Sequence, residues 1–234
     1  MHKEKTKFKK VGKMNELAWL IGNVLCAFGV VLTTKASFGL SMIAAPPYIL
    51  HVFLSKFFSF FTQGTAEYVF QTAILIFICI FVRKVRFKYF MCFLTSVFFG
   101  LMIDFWLLVL GGGVAYDSLA LRIVAFVVGE LLIALAIAFT FRTYLPVQMP
   151  ECLVMEISKY LNKSVEQVKR VVDIAFFCLS IVLSLVLTSG FTGVGIGTVI
   201  ISFANAYLIK WWGNIIDKIF EFTPLFVGLE KKLK

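Results

Sequence analysis

Charged side chains are few. Asp, Glu, Lys and Arg together make up 15% of the 234 residues, against about a quarter in a typical soluble domain. That deficit excludes a surface that faces water throughout. Histidine is scarcer still. His2 and His51 are the two in the chain, and one candidate ligand away from the terminus argues against a zinc or haem site. No Ser/His/Asp or Cys/His arrangement appears, so no enzymatic chemistry is expected. The five cysteines, Cys26, Cys79, Cys92, Cys152 and Cys178, lack CxxC spacing and lie in or beside apolar runs. They read as packing residues, not as disulfides or metal ligands. No metal or cofactor is implied. A cleavable signal peptide is not evident, because the apolar run after the basic stretch Met1 to Lys13 is too long for one.

Apolar sequence is what the chain has in excess: 60% of its residues are hydrophobic, and 16% of all residues are aromatic. The net charge of +10 would raise nucleic acid in a soluble protein. Here the basic residues stand in blocks between apolar runs, where they set topology and meet anionic lipid head groups. Nucleic-acid binding is therefore not expected, and membrane lipids are.

The pattern predicts an all-α, polytopic membrane helix bundle of about six spans, forming a single membrane domain over residues 1–234. Spans are expected at Glu16 to Thr34, Ala66 to Val82, Tyr89 to Leu110, Leu119 to Phe141, Val171 to Leu187 and Val194 to Trp212. Two apolar segments are interrupted, Phe38 to Phe61 by Pro46 and Pro47, and Leu145 to Tyr160 by Pro146 and Pro150. Proline removes a donor and disturbs the preceding turn, so both segments read as broken or re-entrant half-helices inside the bundle, where protein can satisfy the freed backbone. The alternatives are interfacial helices, or a seventh full span at the first segment.

Basic residues alternate with the spans. Lys3 to Lys13 precede the first, Arg83 to Lys88 follow the second, Arg142 to Arg170 separate the fourth and fifth, and Lys231 to Lys234 close the chain. The remaining loops are poor in base. By the positive-inside rule both termini are cytoplasmic. Residues 214–234 read as an amphipathic tail on the inner surface.

The two halves, about 14–112 and 118–213, align at offsets near 103. Gly22-Asn23 matches Gly129-Glu130, Pro47 matches Pro150, Thr62 matches Ser164, and Gln71 matches Asp173. An odd number of spans per half makes this an inverted repeat, each with a proline-broken segment. Paired broken segments of that kind point to a midplane binding site.

Ionisable groups inside spans usually face a cavity or the bundle interior. The candidate substrate-binding residues are Glu130, Asn23, Asp104, Gln71, Asp173, Ser41, Gly39, Pro47 and Pro150. Acidic members could bind a cation or cycle protons, since desolvation favours the neutral carboxyl. The same groups could instead satisfy backbone at the breaks. Gly39 permits unusual backbone angles and Ser41 can cap the following half-helix, whose amides could hold an anionic group near Lys35. Gly193, Gly195, Gly197 and Thr198 follow no strand, so they suit close helix packing rather than a nucleotide loop.

Across Gly29 to Ser41, Thr95 to Asp104 and Gly193 to Thr198 the chain resembles the YitT/YczE-type bacterial integral membrane proteins over nearly its whole length. That resemblance implies a bacterial inner-membrane protein of no settled activity. The run Gly-Leu-Ser-Pro-Trp-Asp of those proteins is half present: Gly39-Leu40-Ser41 is followed by Met42-Ile43-Ala44. A missing Asp that served substrate there would imply a different substrate here, or none. The reading is a small-solute transporter or facilitative channel, with a small-molecule or ion substrate and a homo-oligomer left open. The alternatives are a substrate-binding subunit of a partner-dependent importer, and an accessory membrane factor without a substrate.

Overall fold

The computed structural model describes residues 15–223. They form eight helices: α1 (Asn15–Ala36), α2 (Ala45–Leu54), α3 (Gln63–Val82), α4 (Phe87–Val109), α5 (Leu119–Thr140), α6 (Met149–Leu161), α7 (Val165–Thr188) and α8 (Ile196–Ile219). Six of them, all but α2 and α6, are long and apolar enough to cross a membrane. The two short ones have 10 and 13 residues. At about 1.5 Å per residue they reach roughly 15 and 20 Å, short of a hydrocarbon core about 30 Å thick. The first broken segment is thus no seventh span.

Two long helices start earlier than hydropathy suggests, because a cap precedes each. Thr62 accepts from the Thr65 amide and starts α3 at Gln63 rather than Ala66. Ser164 accepts from the Gln167 amide and starts α7 at Val165 rather than Val171, which places Lys169 and Arg170 on the helix and not in a loop. A side-chain oxygen at that position satisfies an amide the helix itself leaves open.

The order long, short, long, long occurs twice, and the packing partners repeat with it. α1 packs on α4 as α5 does on α8, α2 on α3 as α6 does on α7, and α2 on α7 as α6 does on α3. The correspondence fails at two places: α3 packs on α4 and α4 on α6, whereas α7 and α8, and likewise α8 and α2, scarcely touch. α1 and α5 form the central pair. A Cβ on Gly29 would lie 2.7 Å from the Gly129 carbonyl oxygen, and one on Gly22 would lie 2.9 Å from Thr140 Cγ2. Those contacts make the pair antiparallel, and the small residues let the backbones meet. Large apolar side chains such as Phe77, Leu101, Val124, Val186 and Phe203 point outward, as lipid-facing residues do.

One end of the bundle is basic. It carries Arg83, Lys84, Arg86 and Lys88 between α3 and α4, Arg142 after α5, and Lys159 and Lys163 around the end of α6. At the other end two cations fasten carbonyls. Lys35, 5% exposed, donates to Leu110 and Gly112 oxygens at 3.0 and 2.9 Å, and Arg122 donates to those of Ala36 and Ser37. The expected tail does not begin as a separate element: residues 214–219 continue α8, where Asp217 pairs with Arg142. Met1 to Lys13 and residues 224–234 lie outside the described residues.

Candidate functional site

Both short helices carry proline in the first turn, Pro46 and Pro47 in α2 and Pro150 in α6. There the missing N–H is one the helix would leave unpaired anyway. The prolines therefore start half-helices instead of breaking long ones.

The depth of α6 follows from its first amide. Met149 N–H donates to Gln71 Oε1 at 3.2 Å and to Ser96 Oγ at 3.1 Å. Gln71 and Ser96 lie near the middles of α3 and α4, so α6 begins halfway along the bundle. From there it runs to the basic end, where Glu156 meets Tyr89 at 2.9 Å and Arg86 at 3.4 Å. The preceding loop is held by Trp19 and Thr95, which both donate to the Pro146 carbonyl. Ahead of α2, Met42 belongs to the same buried cluster as Val147 and Met149. The approach to α2 thus meets the start of α6 in the interior, and an interfacial position for α6 is excluded.

Around that meeting point gathers a buried acidic group. Glu67 and Gln71, one turn apart on α3, are 3% and 1% exposed, and Gln71 Nε2 donates to Glu67 Oε2 at 3.2 Å. Gln71 therefore links the Glu67 carboxylate to the first amide of α6. Glu67 feels the charge of Glu151 on α6. Glu151 in turn feels Lys169 and Asp173 on α7, which pair with each other at 3.3 Å. Cys26 on α1 lies beside the Gln148 amide and within electrostatic reach of Glu151, Glu67 and Glu130. Glu130, on α5, is 6% exposed. Its Oε1, the Oε2 of Glu151 and the Oδ1 of Asn23 are buried without a hydrogen-bond partner.

Of the residues chosen from sequence, Gln71 and Pro150 thus meet at the start of α6, with Asp173 within electrostatic reach of Glu151, whereas Glu130, on α5 against α1, is linked to them only through Cys26. Asn23 sits one turn before Cys26 on α1, its Nδ2 donating to the Trp19 carbonyl. It does not face Glu130. The antiparallel crossing sets Gly22 against Ala136 and Thr140, and Gly29 against Gly129. Asp104 lies elsewhere, at the end opposite the basic one. It accepts from Thr62 Oγ1 at 2.7 Å and from the Gly64 amide at 2.8 Å, binding α4 to the first turn of α3. Gly39 has φ +106° and packs against Gly195 and Thr198. Leu40 N–H donates to Gly193 O and Gly197 N–H to Phe38 O, so the two glycine segments clasp each other. Ser41 Oγ accepts from the Ala44 amide, and Pro47 is buried in α2.

Sequence reading missed Glu67, because a helix begun at Ala66 leaves it at the rim. Thr62 was the available signal. With the helix begun at Gln63, Gln63, Glu67 and Gln71 share one face with the buried Phe70, Ile74 and Ile78. Cys26 carried no signal beyond its apolar run.

Two recesses open on the glycine-rich end and share Tyr48 as a wall. One, of about 380 Å³, is lined by Thr33, Thr34, Gly39 and Gly193 among others. The second, of about 710 Å³, is lined by His51, Gln63, Asp104 and Gly111 to Gly113. Gln63, 2% exposed, donates to Thr34 Oγ1 at 3.4 Å. The stripe Gln63, Glu67, Gln71 leads from this recess to the start of α6. Among the described residues no three His, Cys, Asp or Glu side chains come close enough to share a metal ion.

A family model described as a family of unknown function, DUF6198, matches residues 13–214. No curated protein and no solved structure matches the chain.

Proposed function

The chain belongs to DUF6198, a family of unknown function; from the geometry we propose a small-solute membrane transporter that exposes a buried midplane site to each face in turn. The observation that carries this reading is the start of α6. A half-helix begins at mid-depth, bound by Gln71 and Ser96, and Glu151 in its first turn keeps one buried carboxylate oxygen without a partner. Dry structural contacts do not leave buried acceptors open, since each costs about 1–3 kcal/mol and more when charged. Polar groups at membrane depth usually mark a solute path.

The duplicated order and packing support an inverted repeat, residues 15–109 against 119–219, with α1 and α5 across its axis. Rocking one half against the other would alternate the exposure of a site held between them. The basic end then faces the cytoplasm, by the positive-inside rule, and the two recesses face outward. The likeness to YitT/YczE-type proteins fits this reading, since two of its segments, around Gly39 and Gly195, form the clasp between the halves at the outer end. With it go a bacterial inner-membrane location and the absence of enzymatic chemistry.

Cys26 provides the test. In a variant with Cys79, Cys92, Cys152 and Cys178 replaced by serine, reconstituted into vesicles, a membrane-impermeant thiol reagent is expected to reach Cys26 from either face. Labelling from one face alone, or from neither, refutes alternating exposure.

A further inference from the structure

The contact between α4 and α6 sets two cysteines face to face. Two hydrogen bonds fix how these helices lie. Ser96 Oγ on α4 accepts from the Met149 amide at the start of α6, at 3.1 Å. Tyr89 Oη on α4 donates to Glu156 Oε2 on α6, at 2.9 Å. Passing from 89 to 96 on one helix therefore means passing from 156 to 149 on the other, so the two run antiparallel here. Cys92 lies between Tyr89 and Ser96, and Cys152 between Met149 and Glu156, at the same spacings. Residues three and four apart share a helix face, so both cysteines stand in the seam, opposite each other. Both are fully buried and belong to one packed cluster. Their thiols are within hydrogen-bonding reach of each other.

The surroundings of the pair are rich in sulfur. The chain has five cysteines and seven methionines, and six of these lie in or against that one cluster: Met42, Cys79, Cys92, Met149, Cys152 and Met155. Packing alone does not call for sulfur, because Leu and Met exchange in cores at little cost. Thiolate and thioether donors do share one chemical preference, for soft ions such as Cu(I). Zinc needs four ligands, and among the described residues no third His, Cys, Asp or Glu joins the pair. Two opposed thiolates suit a monovalent d10 ion, which is stable between two sulfurs in line. The charges nearby fit as well. Lys88, one turn before Cys92, acts on both sulfurs. Glu151 opposes it at Cys92 and Glu156 at Cys152, but Glu156 is already paired with Arg86 and Lys159.

We infer that Cys92 and Cys152 form a binding site for a soft monovalent metal ion, Cu(I) or Ag(I), at the seam between the two halves of the bundle. The ion makes two metal–sulfur bonds, one to each Sγ. The two S–H protons leave to water at the basic end, as thiol ligands must release them, and the resulting centre of charge −1 faces Lys88. Copper remains Cu(I) throughout, so no electron is transferred. Because α4 belongs to the first half and α6 to the second, the bound ion ties the halves together. The site stands apart from the alternating-exposure reading, whose test uses a variant that lacks both cysteines.

The experiment uses the purified full chain in detergent with Cys26, Cys79 and Cys178 replaced by serine. Under ascorbate and without oxygen it is titrated with Cu(I) in competition with a chromophoric Cu(I) chelator. The chain is expected to withdraw a single Cu(I) from the chelator, and copper-edge X-ray absorption to show sulfur neighbours alone. C92S and C152S are each expected to weaken binding at least about a hundredfold, since a lost ligand costs no less than a lost outer-shell partner. Ag(I) is expected to displace the copper, and Zn(II) at the same concentration to leave it in place. No copper withdrawn, binding unaltered in either serine variant, oxygen or nitrogen in the copper shell, or displacement by Zn(II) would each overturn the inference. If a serine variant does not fold, alanine replaces serine, and the absorption spectrum with the Zn(II) comparison on the Cys92/Cys152 protein decides by itself. Labelling of Cys26 from one face alone would remove transport and leave the metal site standing. Failure to bind copper would remove the site and leave the labelling result untouched.

Discussion

Exchanging the residues at 67 and 71 tests whether Gln71 ties Glu67 to the start of α6. In the structure Gln71 uses both ends of its amide: Nε2 donates to Glu67 Oε2 at 3.2 Å and Oε1 accepts from Met149 N–H at 3.2 Å. Q71E keeps the acceptor for Met149 but replaces the donor facing Glu67 with a second carboxylate. A hydrogen bond to a charged group, worth about 1.5–3 kcal/mol, becomes a repulsion between two buried side chains 3% and 1% exposed. The expected loss is about 3 kcal/mol, or roughly 6–12 °C in Tm for a chain of this size. E67Q alone keeps a neutral hydrogen bond and should cost about 1 kcal/mol. The exchange E67Q/Q71E restores the relay with the charge moved one turn: Gln at 67 donates to Glu at 71, which accepts from Met149. The double variant should therefore be more stable than Q71E, with a coupling energy of about 2 kcal/mol. Reversible unfolding in detergent, read by circular dichroism for all four proteins, gives the cycle. Additive effects would refute the relay, and so would a harmless Q71E.

Two further expectations follow from contacts on the page. Gly29→Leu places its first side-chain carbon 2.7 Å from Gly129 O and Ile133 Cγ1, and overpacking of that kind should cost about 3 kcal/mol, whereas Gly113→Ala, with nothing nearer than 3.9 Å, should stay within about 0.5 kcal/mol of the parent protein; the Tm difference between them is the readout. Asp104→Ala removes the acceptor of the Gly64 amide and of Thr62 Oγ1 and should cost about 1–2 kcal/mol, with Asp104→Asn recovering part because its amide oxygen still accepts from Gly64; equal Tm losses for the two would contradict the capping role.

Much of the architecture was legible before any coordinates. Apolar runs of span length admit few alternatives in a membrane, because each backbone polar group must be paired within the helix. The caps at Thr62 and Ser164 already stood at matching places in the two halves, and so did the prolines that open α2 and α6. Glu130 and Gln71 were legible as buried polar residues because polar groups are rare in such runs. Glu67 was not, since hydropathy locates a helix end only to within a turn, and a carboxylate near an end reads as solvated.

The order of residues along the chain determined by itself that six helices would span and that two short proline-headed helices would interrupt them. It also determined which end would be basic. Those outcomes depend on local hydrophobicity, proline's missing donor and charge, and each is a property of neighbours in sequence. Tertiary structure alone decided that Gln71 ties the buried Glu67 to the first amide of α6, that Cys26 lies within electrostatic reach of Glu67, Glu130 and Glu151, and that Asp104 serves as a cap. The physical reason is that which acceptors stay open depends on the crossing of α1 and α5 at Gly29 and Gly129 and on the depth at which α6 begins.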